Sequence, residues 1–139
     1  MRVLAFGTFD NLHSGHLSYF SQAGKFGDEL IIIIARDRNV LRIKGRAAQE
    51  DEKTRVRKIR TALKKLKILN SRAVLGVLEN QWLVLKKYRP DIICLGYDQK
   101  VDLRKLKSEI AKFRFCCKIK RMKPFYPEKY KSSYCRGKE

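Results

Sequence analysis

The chain has 139 residues, 44% of them hydrophobic and 34% charged, which fits one domain with its own core and excludes a disordered chain. No apolar run approaches the roughly 18 to 20 residues of a membrane-spanning helix, and Met1-Arg2-Val3-Leu4 enters a strand pattern directly, without a signal-peptide cleavage site. The 33 Lys and Arg against 14 Asp and Glu leave a net charge of +19, but the cations are dispersed and no RNP or zinc-finger pattern accompanies them, so an anionic small substrate is expected rather than nucleic acid.

The first apolar run, residues 3–6, is short and bounded by Gly7, as a buried strand would be. Residues 13–26 place Leu17, Phe20 and Ala23 on one helical face, with Gly27 as the closing residue. The β-branched run at 29–35 suits a central parallel strand buried on both faces, completing a right-handed βαβ unit. Residues 37–51, with Lys44-Gly45-Arg46 at their centre, read as a polar loop. A helix over 52–67 carries Val56, Ile59, Leu63 and Leu66 at helical spacing, and 73–78 form a third strand. A helix over about 80–88, with Trp82 and Leu85 on its apolar face, ends at Pro90. Residues 91–95 make a fourth strand stopping at Gly96. Leu103, Leu106, Ile110 and Phe113 mark another helix, and 115–120 the fifth strand. Lys131-Ser132-Ser133 could open a short last helix. Strands and helices alternating in this way predict an α/β chain: a single Rossmann-like domain over 1–139, with an open five-stranded parallel sheet and helices on both faces. Cys94, Cys116, Cys117 and Cys135 form no C-x-x-C pair and read as free thiols of a cytoplasmic protein.

Ligands of open parallel sheets bind beyond the carboxyl ends of the strands. There the chain places Gly7-Thr8-Phe9-Asp10 and the two histidines, then Arg36, Asp37, Asn39 and Lys44, then Gly96-Tyr97-Asp98-Gln99. Mostly cationic or hydroxylic groups at one sheet edge suit a polyphosphate. Neither a P-loop nor a G-x-G-x-x-G fingerprint is present to supply it. His13 and His16 stand three apart at a helix start, where free N–H groups and the helix dipole favour an anion. Gly15 between them lets the backbone approach a phosphate. No third histidine completes a zinc site.

The stretch Gly-Thr-Phe-Asp-Asn-Leu-His-Ser-Gly-His at 7–16 resembles the G-T-F-D-x-x-H-x-G-H signature of the cytidylyltransferase-like nucleotidyltransferases. The resemblance runs over essentially the whole chain: Asp37-Arg38-Asn39 with Lys44-Gly45 is similar to the family's substrate-side loop, Glu52 to Arg55 to the start of its next helix, and Lys131-Ser132-Ser133 to its C-terminal serine motif. It implies direct transfer of a nucleotidyl group without a covalent enzyme intermediate, so that positioning and charge stabilisation carry the catalysis. His13, His16 and Lys44 are then the catalytic residues. Thr8, Phe9, Gly15, Gly96, Tyr97, Asp98, Gln99, Ser132 and Ser133 join the histidines in binding the nucleotide. Asp10, Asn39, Lys44 and Arg55 take the acceptor side. Mg2+ or another divalent cation is expected on the substrate phosphates, with few protein ligands; Asp10 is either its nearest carboxylate or a stabiliser of the turn.

Leu-Gly-Tyr-Asp-Gln at 95–99 resembles the archaeal FAD synthases, which adenylylate FMN with ATP. Tyr97, Phe125, Tyr126 and Trp82 are read either as an aromatic wall for the flavin or as ordinary core and surface aromatics. A CTP-dependent cytidylyltransferase acting on glycerol phosphate or a similar polyol phosphate, a phosphopantetheine adenylyltransferase-like enzyme, and a basic nucleotide-binding module without catalysis are the alternatives. The resemblance also suggests a homodimer.

Overall fold

The computed structural model describes residues 1–68, 70–78 and 80–124. Five strands form one sheet: β1 (Arg2–Gly7), β2 (Glu29–Ile34), β3 (Ser71–Leu75), β4 (Ile92–Leu95) and β5 (Lys118–Arg121). Their order is β3-β2-β1-β4-β5, and every pairing is parallel. The helices are α1 (Ser14–Gly24), α2 (Asp37–Lys44), α3 (Glu52–Lys65), α4 (Leu83–Tyr88) and α5 (Leu103–Lys112).

The core follows strand parity, because successive side chains of a strand point to opposite faces. Val3, Ala5, Leu30, Ile32, Ile34 and Cys94 pack with Phe20 of α1 and Ile59 of α3. Leu4, Ile31, Ile33, Ile93 and Leu95 pack with Leu85 of α4 and Leu106 of α5. Helices thus cover both faces, as the sequence predicts, and the near-unbroken isoleucine run of β2 reflects burial on two sides. The chain runs outward from β1 through β2 to β3, then returns to the other side of β1 for β4 and β5. The strand order therefore reverses between β1 and β4, where open α/β sheets hold their ligands.

Four expectations change. The loop over 37–51 begins as helix α2: Asp37 lies in its first turn, Val40 and Asn39 are buried, and Gly45 ends it in the left-handed region with its N–H on the Leu41 carbonyl. Gly27 is no helix cap, since α1 ends at Gly24 with Lys25 as its C-cap. Gly27 instead makes room for β1, as a Cβ there would sit 2.5 Å from the Met1 carbonyl oxygen. The third strand starts and ends earlier, at Ser71–Leu75, because its partner β2 already stops at Ile34. The fifth starts later, at Lys118, because Phe115 and Cys117 pack against the α4–α5 face before the ladder to β4 begins.

Candidate active site

The turn that follows β1 is held in an uncommon shape. Phe9 and Asn11 both have left-handed backbones, φ 56° and 53°, a conformation that costs about 1–3 kcal/mol per non-glycine residue unless its surroundings impose it. The surroundings do so. The Phe9 ring is buried against Phe20 at 5.1 Å between centroids and meets His16 edge-on at 5.5 Å. It also lies over Gly7, where a Cβ would come within 3.0 Å of the ring. Asp10 accepts from the N–H groups of Gln49 (2.8 Å) and Glu50 (2.9 Å), and the Asn11 N–H donates to Glu50 at 3.0 Å. The Thr8 and Phe9 amides find no acceptor among the described residues, leaving backbone donors at the strand end.

His13 and His16 build the N-terminus of α1 out of their own side chains. His13 is the N-cap residue, in extended backbone, and its Nδ1 accepts from the Gly15 N–H at 3.1 Å. His16 Nδ1 accepts from the His13 N–H at 3.2 Å. Both Nδ1 atoms being acceptors, the ring proton of each neutral imidazole sits on Nε2. The rings stack 3.8 Å apart at 24°. Burial and the neighbouring His13 push the His16 imidazolium down to about 4, with Asp98 pulling weakly the other way. His16 is therefore neutral at pH 7. The sequence suggests a cationic pocket at this point; in the structure the two stacked rings each present an Nε2–H donor, and His16 brings no charge at pH 7. Gly15 is needed here for a second reason, since a Cβ would fall 2.9 Å from His13 Cε1.

Arg55, expected on the acceptor side, is fully buried. Its guanidinium donates to the carbonyls of Ala35 (2.8 Å), Thr8 (2.9 Å) and Glu50 (3.0 Å), and to Asp37 Oδ1 at 2.5 Å. Asp37 and Glu52 exchange bonds, each carboxylate accepting the other's backbone N–H. Arg55 thus faces the ends of β1 and β2, away from solvent. Asp10 is committed to its two amides. Burial raises its carboxyl, but the Gln49 and Glu50 N–H groups, with Arg55 and Lys44 nearby, outweigh that and hold it below the usual carboxylate range. It is the stabiliser of the turn. Asn39 is buried, with Nδ2 donating to the Val77 carbonyl at 2.9 Å and Oδ1 without a partner among the described residues. Of the four expected acceptor residues, Lys44 keeps an exposed side chain.

Across the strand reversal, the turn after β4 is tied by Gln99. Its Nε2 donates to the Phe6 carbonyl (2.8 Å) and its Oε1 accepts from the Gly96 N–H (2.9 Å), joining the ends of β1 and β4. Arg121 donates to the carbonyls of Gly96 (2.8 Å) and Gln99 (2.9 Å), and the buried Tyr19 hydroxyl donates to the Cys94 carbonyl. Gln99 is thereby internal, whereas Tyr97 and Asp98 are exposed at the mouth of an open hollow that runs to Asp102 and Arg121. Trp82 is half-buried against the α4–α5 face of the core, where it serves packing. Ser132, Ser133, Phe125 and Tyr126 lie outside the described residues.

Sequence reading misses Tyr19, Gln49, Glu50 and Arg121, which fix the two turns. One signal was available for Arg55: it shares a helical face with Ile59 and Ala62, so a cation there points inward.

A parallel sheet reversing between β1 and β4, with an H-x-G-H helix start below the reversal, places the chain in the cytidylyltransferase-like family; that family's model matches residues 4–138, and the chain belongs to it. Within it, the FAD synthase of Thermoplasma volcanium is 38% identical, with 99% of this chain and 93% of the relative covered. The FAD synthase of Methanosarcina mazei is 40% identical, with 87% and 76% covered. A crystal structure from Thermoplasma volcanium, described as a lipopolysaccharide core biosynthesis protein, matches with a TM-score of 0.77 at 38% identity over 90% of this chain and 98% of that one.

Proposed function

We propose that the protein is an FMN adenylyltransferase, acting as one domain over 1–139: an oxygen of the FMN phosphate attacks the α-phosphorus of ATP, the bond to the bridging oxygen breaks, and FAD and pyrophosphate leave. The observation that carries this reading is the pair of Nε2–H donors at the start of α1, fixed by their own backbone bonds, in a chain 38–40% identical to FAD synthases. Charge grows on the non-bridging oxygens as the phosphoryl group transfers. Donors already oriented stabilise it without reorganising. The Thr8 and Phe9 amides extend the same cradle. Lys44 neutralises the incoming FMN phosphate against the triphosphate, and Ser132 and Ser133 take the departing β- and γ-phosphates. Gly96, Tyr97 and Asp98 flank the adenine side, while Gln99 acts from behind by holding the turn.

Among the described residues no cluster of three or more His, Cys, Asp or Glu gathers to cage a metal, and Asp10 is committed to backbone amides. A Mg2+ ion, when bound, would sit mainly on the triphosphate oxygens and supply positive charge against the phosphates there, with the exposed Asp98 and Asp102 on that side of the sheet. The protein acts in the cytoplasm, in keeping with the free thiols of Cys94, Cys116 and Cys117. It acts as a homodimer, to which the exposed Leu41 and Ile43 of α2 offer an apolar surface.

Pyrophosphate release, measured with Mg2+ and each nucleoside triphosphate against FMN, glycerol phosphate and phosphopantetheine, tests the assignment. ATP with FMN is the expected productive pair. Turnover with CTP and glycerol phosphate but not with FMN would overturn it, and no turnover with any pair would leave a nucleotide-binding module.

A further inference from the structure

We infer that Arg55 is a positioning residue for nucleotidyl transfer: from behind the turn it sets where Thr8 and Phe9 lie, and through Phe9 where His16 presents its donor. The inference rests on reading the paired histidines as phosphate donors. A fully buried guanidinium is stable only when its donors are met. Here four of the five are met, by three carbonyls from three different segments, at the ends of β1 and β2 and just before α3, and by the Asp37 carboxylate. With the side chain fully buried, the guanidinium is spent on the protein's own backbone rather than presented to a phosphate. Arg55 touches neither histidine, so its influence passes through the Thr8 carbonyl to the next residue, Phe9, whose ring packs on His16. The left-handed backbones of Phe9 and Asn11 make that path sensitive, because a turn held away from its relaxed shape springs back when a tether is cut. The planar fork is also specific to arginine: an ammonium at the same place cannot serve four acceptors spread around a plane.

Arg55→Lys keeps the charge and removes the fork. The chain has two histidines, so their ring C–H signals can be followed individually by NMR through a pH titration. In the folded variant, kcat is expected to fall by about 10- to 10²-fold, the scale set by misplacement of about 1 Å, with the KM for FMN little changed. The His16 titration should also rise from about 4 toward the ordinary imidazole value of roughly 6.5 as Phe9 withdraws. A folded variant with wild-type kcat overturns the inference. Lost kcat with an unmoved His16 titration overturns the route through the turn. A defect confined to the KM for FMN would make Arg55 an acceptor ligand after all. Should Arg55→Lys not fold, Asp37→Asn removes the one carboxylate partner, whose side chain is 45% exposed; a several-fold smaller loss in kcat and a His16 shift of the same sign are expected, and wild-type behaviour on both counts overturns the inference. A protein that prefers another substrate pair fails the assignment to FMN but leaves these measurements valid with that pair. Full activity of a His16→Ala variant would remove the premise.

Discussion

The turns after β1 and β4 stand side by side at the strand reversal and are built on opposite plans. In the first, the polar side chains are spent within the chain: Asp10 and Asn11 bond residues 49 and 50, Phe9 is buried, and what stays open is backbone N–H and two imidazole edges. In the second, Gln99 and Arg121 hold the frame from behind while Tyr97, Asp98 and Lys100 extend into solvent. On the proposed function, chemistry that tolerates little misplacement falls to bonded backbone, and recognition of the part that distinguishes one substrate from another falls to exposed side chains, which can change without disturbing the cradle.

The sharpest way to break this contrast is His16→Ala. It deletes one oriented donor and the bond to the His13 N–H, so kcat should fall by roughly 10²-fold in steady-state assays of pyrophosphate release; near-normal turnover would remove His16 from the reaction. Gln99→Ala probes the frame that joins the two turns. With the Phe6 carbonyl and the Gly96 N–H left unpaired, unfolding by urea should show a loss of about 1–3 kcal/mol. Unchanged stability would mean the turns are held independently. A further effect is read through pH. Because the His16 imidazole titrates near 4 when folded and at roughly 6.5 in the unfolded chain, the unfolded chain takes up its proton first as pH falls. The stability His16 contributes is complete above pH 6.5, is lost as pH falls from there to 4, and is constant below. Thermal melts across this window should show Tm declining, and a His16→Ala variant should lack that part of the decline.

The sheet was legible because the two-faced burial of residues 30–34 and the punctuation by Gly7, Pro90 and Gly96 are properties of the chain itself. Helix α2 escaped notice because its inward face carries one large apolar residue, Val40, next to Asn39, too little for a periodicity. At the site, spacing located His13, Gly15 and His16, since a helix start imposes their geometry locally. The roles of Asp10, Arg55 and Gln99 depended on partners distant in the chain, the Gln49 and Glu50 amides for Asp10, the Thr8 carbonyl for Arg55 and the Phe6 carbonyl for Gln99, and a charge or an amide in a sequence carries no direction. Each was assigned to a substrate, and each turned inward to brace the turn or strand end that meets it.

The chain has one tryptophan, and its place against the α4–α5 face gives the molecule a built-in optical marker. Its indole emission follows the packing of that layer, so the loosening of the α4–α5 face can be watched on its own, without any added label.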